Sequence, residues 1–296
     1  MLAFATPPQT GALTPAFAED PSASDLLDAD AFARIAQFVE ARAGIRTPPS
    51  RRIMLETNLR RRRITAGFKS LEDYLAFVLE GGGLATEAVE LIDAATVNKT
   101  DFFREPRHFE LMSQQMLPSL LEAGVRKIRA WSAACSTGPE PYSIAMVLQA
   151  AADRTPGLDY HVLGTDICSR VLAVAQQGIF EAPLTQTIPA DIRRRYVRVS
   201  TDGRPLVRIA PELRAKMAFA RLNLMDPVYP VGDPIHLIFC RNVLIYFDHA
   251  IQARVLRRLA DRLAPGGYLV VGHSESMAGA NLALERIDHT VFRKPE

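Results

Sequence analysis

Apolar residues in the first third of the chain recur every three or four positions, which is the spacing of helices that bury one face. Ser24 or Asp25 is expected to cap the first of these helices. In the second, the expected apolar stripe consists of Ile53, Met54, Leu59 and Ile64. The spacing therefore predicts a small all-α domain over residues 24–97, with helices near 24–43, 50–66, 70–80 and 86–97.

Further along, short apolar runs alternate with helical spacing, which is typical of an α/β sheet. The first run, 128–134, leads through a turn of small residues at 135–139 into a helix. Later strands are predicted at 159–167, 233–239 and 268–272, with a final pair near 281–292. Ligands in such folds bind beyond the carboxyl ends of the strands.

Residues 176–221 interrupt this alternation. The Asp202-Gly203 pair is a hairpin signal, and the runs at 193–198, 206–209 and 217–222 suit short strands. We therefore expect an antiparallel β insert at about residues 190–221 within a sheet domain that covers 98–296.

Polar side chains occur where the predicted strands end. Asp166 ends the second strand, and an acid at that place in doubly wound folds accepts hydrogen bonds from ribose hydroxyls. Arg241 and Asn242 follow the strand at 233–239, and His273 follows the next one without an assigned role. The segment NKTDFFRE (98–105) mixes aromatic, amide and charged residues, which suits a stretch that lines a ligand.

Composition limits the classes of protein that need to be considered. The net charge is +2, and no apolar run approaches the ~20 residues of a membrane span. Three widely spaced cysteines indicate reduced thiols and no metal site. Residues 1–23 contain no periodic pattern and are expected to form a disordered leader without a signal peptide. These features predict a cytoplasmic protein.

Basic residues are concentrated in the predicted helical domain. Between Ala41 and Lys69 the chain has nine basic residues and one acid, Glu56. Such a cluster is either a solvated face or a docking surface for an acidic partner. The pattern alone leaves nucleic acid and an acidic helical protein equally open as partners.

Several motifs together resemble a known family. LAPGGYL (263–269) is similar to a late motif of Rossmann-like S-adenosylmethionine methyltransferases. The ordered set NKTDFFRE, SAACSTGPEPYSIA, GTDI, NL (223–224), FCRNVLIYF and GHSES resembles the CheR family of chemotaxis-receptor glutamate O-methyltransferases. The resemblance covers about residues 25–293.

The resemblance implies a Rossmann-like sheet with a β-subdomain, and a methyl donor, S-adenosylmethionine, that leaves as S-adenosylhomocysteine. It implies Tyr246 near the transferred methyl group and no metal. It implies a monomer that neither binds nucleic acid nor inserts into membranes, with its basic helical domain facing the receptor's methylation helices through Arg51, Arg52, Arg60, Arg61, Arg62 and Arg63. The implied cofactor-binding residues are Asn98, Thr100, Arg104, Glu140, Asp166, Asn223, Leu224, Arg241 and Asn242.

Two departures from the family pattern bear on these expectations. Family members commonly read S-T-G-E-E-P-Y-S, and here Pro139 replaces the first glutamate while Glu140 is retained. We expect cofactor binding to survive this change. The insert hairpin STDGRPL has one glycine where members that bind a receptor's C-terminal pentapeptide tend to have more, which argues against that tether.

The implied chemistry requires no general base, because a glutamate acceptor with a reference pKa of about 4.3 is already ionised at pH 7. Tyr246 is the candidate for orienting its carboxylate. Three alternatives remain: an RNA methyltransferase that uses the arginine-rich helix, a non-catalytic S-adenosylmethionine-binding module, and a dinucleotide dehydrogenase. The missing G-x-G-x-x-G argues against the last of these.

Overall fold

A computed structural model of the protein describes residues 26–232, 234–275 and 282–296. The expected leader, the strand start at Asp233, and Ser276 and Asn281 lie outside these ranges. The N-terminal unit is helical, as predicted. Its helices are α1 (Ala29–Ala43), α2 (Arg52–Thr65), α3 (Leu71–Leu79) and α4 (Ala88–Ala95).

The first helix starts later than predicted. Asp28 is its N-cap, and the Asp28 carboxylate accepts a hydrogen bond from the Ala31 N–H at 2.8 Å. The expectation that Ser24 or Asp25 caps the helix is therefore wrong. Several cap-competent residues precede the apolar stripe, and only the backbone geometry selects one of them. Gly44, in the left-handed region at φ 72°, ends α1.

The apolar face of α2 also differs from the prediction. Leu55 and Leu59 are buried, whereas the Ile53 and Ile64 side chains are 79% and 67% exposed. Ile53 and Ile64 are eleven residues apart, close to three turns, so they share the face opposite the core. Two large apolar side chains thus lie on the solvent face of the most basic helix.

One arginine of the basic cluster has a structural role. Arg62 forms two hydrogen bonds of 2.7 Å to the buried Glu87 carboxylate, which also accepts from the Tyr74 hydroxyl at 2.8 Å. This network connects α2, α3 and the residue before α4. The Arg62 guanidinium therefore has strong partners inside the domain, and its contact with a receptor stays a prediction.

The second unit contains a seven-stranded sheet in the order β6-β2-β1-β7-β8-β10-β9. Strands β6, β2, β1, β7 and β8 pair in parallel, and β10 and β9 run antiparallel at one edge. This confirms the predicted fold class. The strands are β1 (Lys127–Ala133), β2 (Asp159–Asp166), β6 (Met217–Arg221), β7 (Ile235–Cys240), β8 (Leu263–Val271), β9 (Glu285–Asp288) and β10 (Val291–Arg293).

Helices cover both faces of this sheet. The segment after the N-terminal unit forms α5 (Arg107–Leu111), a π-helical turn (Met112–Met116) and α6 (Leu117–Glu122). The helices α7 (Pro139–Ala152), α8 (Ser169–Gln177) and α11 (His249–Arg262) follow β1, β2 and β7. Within the described ranges, no helix has the length and apolar character needed to cross a bilayer.

The β insert starts earlier than expected. It is an antiparallel sheet of β3 (Ile179–Glu181), β5 (Leu206–Ile209) and β4 (Val197–Val199), with the short helices α9 (Ala190–Tyr196) and α10 (Pro211–Arg214) beside it. Two expectations are wrong. Residues 193–196 end a helix, and β6 belongs to the main sheet, where Val162 pairs with Met217. Alternating apolar residues predict a strand but do not identify its neighbour.

The helical unit and the sheet share one hydrophobic core. Leu59 of α2 and Ile35 of α1 belong to the same buried cluster as Trp131 of β1 and Leu256 of α11. A second cluster fills the opposite sheet face around Tyr142 and Phe239. The helical unit is therefore packed on the sheet and is not a freely tethered module.

We predict that Glu87→Gln lowers the free energy of unfolding by about 2 kcal/mol, because the variant weakens charge-assisted hydrogen bonds to Arg62. Arg62 holds the pKa of Glu87 below its ordinary value. The stabilisation is therefore present above the unfolded pKa of about 4.3 and is lost as the pH falls through the lower folded pKa. Urea unfolding at pH 7 and pH 3 measures both effects. Glu80→Gln, at an exposed carboxylate 4.0 Å from Arg34, is the control and should change stability by less than about 0.5 kcal/mol.

Candidate active site

A cleft opens at the carboxyl ends of the central parallel strands. In the sheet, β1 lies between β2 and β7. The connections that follow these neighbouring strands run to different sides of the sheet, which leaves a crevice between them. All ten residues that the sequence analysis selected line this one cleft. They are Asn98, Thr100, Arg104, Glu140, Asp166, Asn223, Leu224, Arg241, Asn242 and Tyr246. The structure thus brings the whole set together, while the role of each residue stays a prediction.

Backbone strain is concentrated around this cleft. Among the described residues, the non-glycine residues with positive φ are Phe103, Glu105, Ala134, Ser136 and Asn242. Ala134, Ser136 and Asn242 line the cleft, and the other two flank Arg104, which also lines it. Such conformations cost about 1–3 kcal/mol each and persist where the surroundings enforce them, commonly at functional sites.

Asp166 is held at the end of β2 by backbone donors. Its carboxylate accepts N–H groups from Ser136 at 2.8 Å and from Cys168 at 2.9 Å. Burial raises the pKa of Asp166, and these hydrogen bonds oppose the increase. The Ser136 hydroxyl also donates to the Asn98 carbonyl at 2.9 Å. The turn after β1 therefore fixes Asp166 on one side and the start of the 98–105 segment on the other.

Arg241, at the end of β7, lies between two carboxylates. Its Nη1 is 2.8 Å from Glu140 Oε2, and its Nη2 is 3.2 Å from Glu105 Oε2. The Arg241 side chain is only 1% exposed. Ser132 donates a further hydrogen bond to Glu140 Oε1 at 2.7 Å. Arg241 and Glu140, both selected as cofactor ligands, thus already have strong partners within the protein.

Sequence reasoning quoted Glu275 within GHSES but gave it no role. The Glu275 side chain is buried and accepts backbone N–H groups from Gly272, Asn242, Val243 and Leu244 at 2.6–2.9 Å. These bonds hold the single 3₁₀ turn, Leu244–Tyr246, that carries Tyr246. The available signal was an acidic residue in the short turn that follows a buried strand.

Tyr246 is also fixed by the helical unit. The Arg51 guanidinium lies 4.5 Å from the centre of the Tyr246 ring, and Arg46 donates its N–H to the Tyr246 carbonyl at 3.0 Å. Across the cleft, the Asn223 amide donates to the Arg42 carbonyl at 2.8 Å. The helical unit therefore forms one wall of the cleft, and Arg51 lines the cleft itself.

Fold and cleft together define a nucleotide-type α/β protein, with a site at the carboxyl ends of parallel strands and a helical unit as one wall of that site. The chain matches two family models, "CheR methyltransferase, SAM binding domain" over residues 98–293 and "CheR methyltransferase, all-alpha domain" over residues 30–96. The chain therefore belongs to the CheR methyltransferase family, which uses S-adenosylmethionine (SAM). The resemblance inferred from the motifs is confirmed.

Curated relatives agree with this assignment over most of their length. The chain is 34% identical over 271 residues to a chemotaxis protein methyltransferase of Borreliella burgdorferi, covering 90% of this chain and 94% of that protein. It is 38% identical over 248 residues to one of Salmonella typhimurium and 39% identical over 248 residues to one of Escherichia coli. Each of these two alignments covers 83% of this chain and 84% of the relative.

We predict that Arg241→Met lowers the free energy of unfolding by about 3–5 kcal/mol, because it leaves Glu105 and Glu140 without their shared cation. Burial favours a higher pKa for Glu105, but the Arg241 charge and the Asn242 hydrogen bond hold that pKa below its ordinary value. Urea unfolding measures the change. Arg257→Met, at an exposed position of α11, is the control. A loss below about 1 kcal/mol would show that the bridge is unimportant for stability.

Proposed function

We propose that the chain transfers a methyl group from SAM to glutamate side-chain carboxylates of chemoreceptors, giving glutamate methyl esters and S-adenosylhomocysteine for adaptation in chemotaxis. The observation that carries the proposal is that all ten selected residues line one cleft. The names of the relatives, chemotaxis protein methyltransferases, support the receptor as substrate. The chain would then act in the cytoplasm, as a monomer.

The cleft's donors and acceptors fit SAM. Asp166, fixed by two backbone N–H groups, retains acceptor capacity for ribose hydroxyls. Arg104 is partly exposed and suits the carboxylate of the methionine moiety. Glu140 keeps lone pairs beyond those used by Ser132 and Arg241, so it suits the amino group. Asn98, Thr100, Asn223, Leu224 and Asn242 complete the proposed set.

Bound SAM supplies an electrophilic methyl group on a sulfonium cation. The residues then have to orient an acceptor carboxylate and exclude water from it. We assign the orienting hydrogen bond to the Tyr246 hydroxyl, because Glu275 and Arg51 hold the turn and the ring of Tyr246. Positioning of this kind supplies up to about 7–11 kcal/mol in favourable cases. No residue has to remove a proton, because the acceptor is already ionised.

The solvent face of α2 suits an acidic amphipathic helix. Ile53, Thr57, Arg61 and Ile64 are exposed and recur every three or four residues. Other arginines of the cluster have contacts inside the domain: Arg52 donates to the Leu27 carbonyl, Arg60 pairs with Glu56, and Arg63 donates to the Lys69 carbonyl. We therefore propose that docking depends on Arg61 and the two isoleucines.

The position of α2 connects docking with chemistry. The residue immediately before α2 is Arg51, which lies over Tyr246 at the cleft. A receptor helix lying along α2 would thus bring a glutamate to Tyr246 at one end of the contact. Nothing in the insert requires a peptide ligand, and the single glycine in its hairpin continues to argue against a pentapeptide tether.

We predict that Asp166→Ala weakens S-adenosylhomocysteine binding by about 10–100-fold, since a hydrogen bond to a charged group contributes about 1.5–3 kcal/mol. Isothermal titration measures the affinity. Asp159→Ala, which removes a carboxylate from the other end of β2, is the matched control and should bind like the parent. Equal affinity of the Asp166→Ala and parent proteins would contradict the proposed cofactor position.

We predict that Arg61→Glu lowers receptor methylation by about fivefold or more at unchanged S-adenosylhomocysteine affinity, because like charges then oppose an acidic receptor helix. Transfer of labelled methyl groups to receptor-containing membranes measures the rate, with Arg257→Glu as an exposed control. Base-labile label identifies a carboxyl methyl ester. Cofactor binding without label on the receptor would point to RNA as substrate or to a non-catalytic module.

A further inference from the structure

A cluster of potential metal ligands lies beside the cleft and outside the ten selected residues. Glu105, His108 and His273 each bring one donor atom to within 4.8 Å of the others. Glu105 and His108 come from the start of the α5 region, and His273 comes from the turn after β8. These two segments are far apart in sequence, and the fold brings them together. The spacing of the three cysteines and the family resemblance led to the expectation of no metal, and neither involves these three residues.

One atom of this cluster is buried without a hydrogen bond. His108 Nδ1 lies 3.4 Å from Glu105 Oε2, and no described residue forms a hydrogen bond with this ring nitrogen. His108 is fully buried. Glu105 Oε2 pairs with Arg241 Nη2 at 3.2 Å, and Glu105 Oε1 accepts from the Asn242 amide at 3.2 Å. An unpaired buried polar atom costs about 1–3 kcal/mol, so the ring nitrogen of His108 points to a missing partner.

We propose that Glu105, His108 and His273 form a binding site for a divalent transition-metal ion of the Zn²⁺ type, with one coordination position open. Zinc forms bonds of about 2.0–2.2 Å to nitrogen and oxygen, which separates tetrahedral ligands by about 3.4 Å. Glu105 Oε2 lies 3.4 Å from His108 Nδ1 and 3.9 Å from His273 Nδ1. Two histidines and one glutamate are a ligand set of zinc sites that retain an open position.

The surroundings of His108 support this assignment. Its Nε2 is 2.6 Å from the buried Thr290 hydroxyl, the kind of second contact that orients a metal-binding imidazole. The His273 side chain is 61% exposed and gives an ion access from solvent.

Charge around the cluster permits a cation. The nearest positive group, Arg241, lies 3.2 Å from Glu105 Oε2, but it is shared with Glu140. Arg241, Glu105 and Glu140 together carry one net negative charge. Asp288 adds a further negative charge near His108, and Arg107 lies 3.9 Å from Asp288. A bound ion would restrain Glu105, the residue that follows Arg104 in the cleft.

Titration of the full chain with Zn²⁺ by calorimetry at pH 7 tests the site. The expected result is one ion per chain, bound at least about tenfold more weakly by His273→Ala. His161→Ala is the matched control, because its side chain is similarly exposed at 67%. Parent affinity in His273→Ala, no binding by the parent, or loss of binding in His161→Ala would each overturn the proposal.

Substitution with Co²⁺ identifies the ligands independently of activity. Visible absorption of a tetrahedral nitrogen- and oxygen-bound ion is expected in the parent and should be lost in His273→Ala. The described cysteines are buried and lie outside the cluster. A sulfur-to-cobalt charge-transfer band would show thiolate binding and contradict the assigned ligands. Circular dichroism of His273→Ala establishes that the variant is folded.

Discussion

The cleft depends on the ion pairs that Arg241 forms with Glu105 and Glu140. A buried guanidinium is tolerated only with well-placed counter-charges, and buried carboxylates have the same requirement. Glu140 and Glu105 meet this requirement from the first turn of α7 and from the end of the 98–105 segment. The pairing therefore fixes three distant segments at one sheet edge. The strained backbones of Glu105 and Asn242 beside it are the conformations that this arrangement imposes.

The same edge of the sheet joins the helical unit to the cleft. The shared core that contains Leu59 and Trp131 prevents independent movement of the two units without exposure of apolar surface. Arg51 lies over Tyr246, so the residue before the exposed face of α2 also touches the proposed acceptor position. The proposed docking face of α2 is therefore geometrically connected with the cleft.

The site could be located from the sequence, because parallel strands place their carboxyl ends at one edge of the sheet. Asp166 and Arg241 could be assigned to one cleft for that reason, and the motifs added Asn98 and Tyr246. Pairings between distant residues could not be predicted, because no local pattern encodes them. The Arg62–Glu87 bridge, the strand partner of β6 and the capping of the Tyr246 turn by Glu275 all depend on tertiary contacts. Helical spacing predicted that α2 is amphipathic but assigned Ile53 and Ile64 to the wrong face.

The proposed acceptor, an ionised carboxylate, would account for the kind of polar groups that surround the cleft. Among the described residues that line it, no histidine or cysteine is present to act as a base near neutral pH. The lining acids Glu140 and Asp166 are held in position by Arg241 and by backbone N–H groups. A reaction that joins an anion to a cationic donor loses charge, so strong fixed charges aimed at the acceptor would favour the reactants over the transition state. The proposed roles suit that requirement, because they commit the charged groups to structure and cofactor binding and assign the acceptor to the hydroxyl of Tyr246.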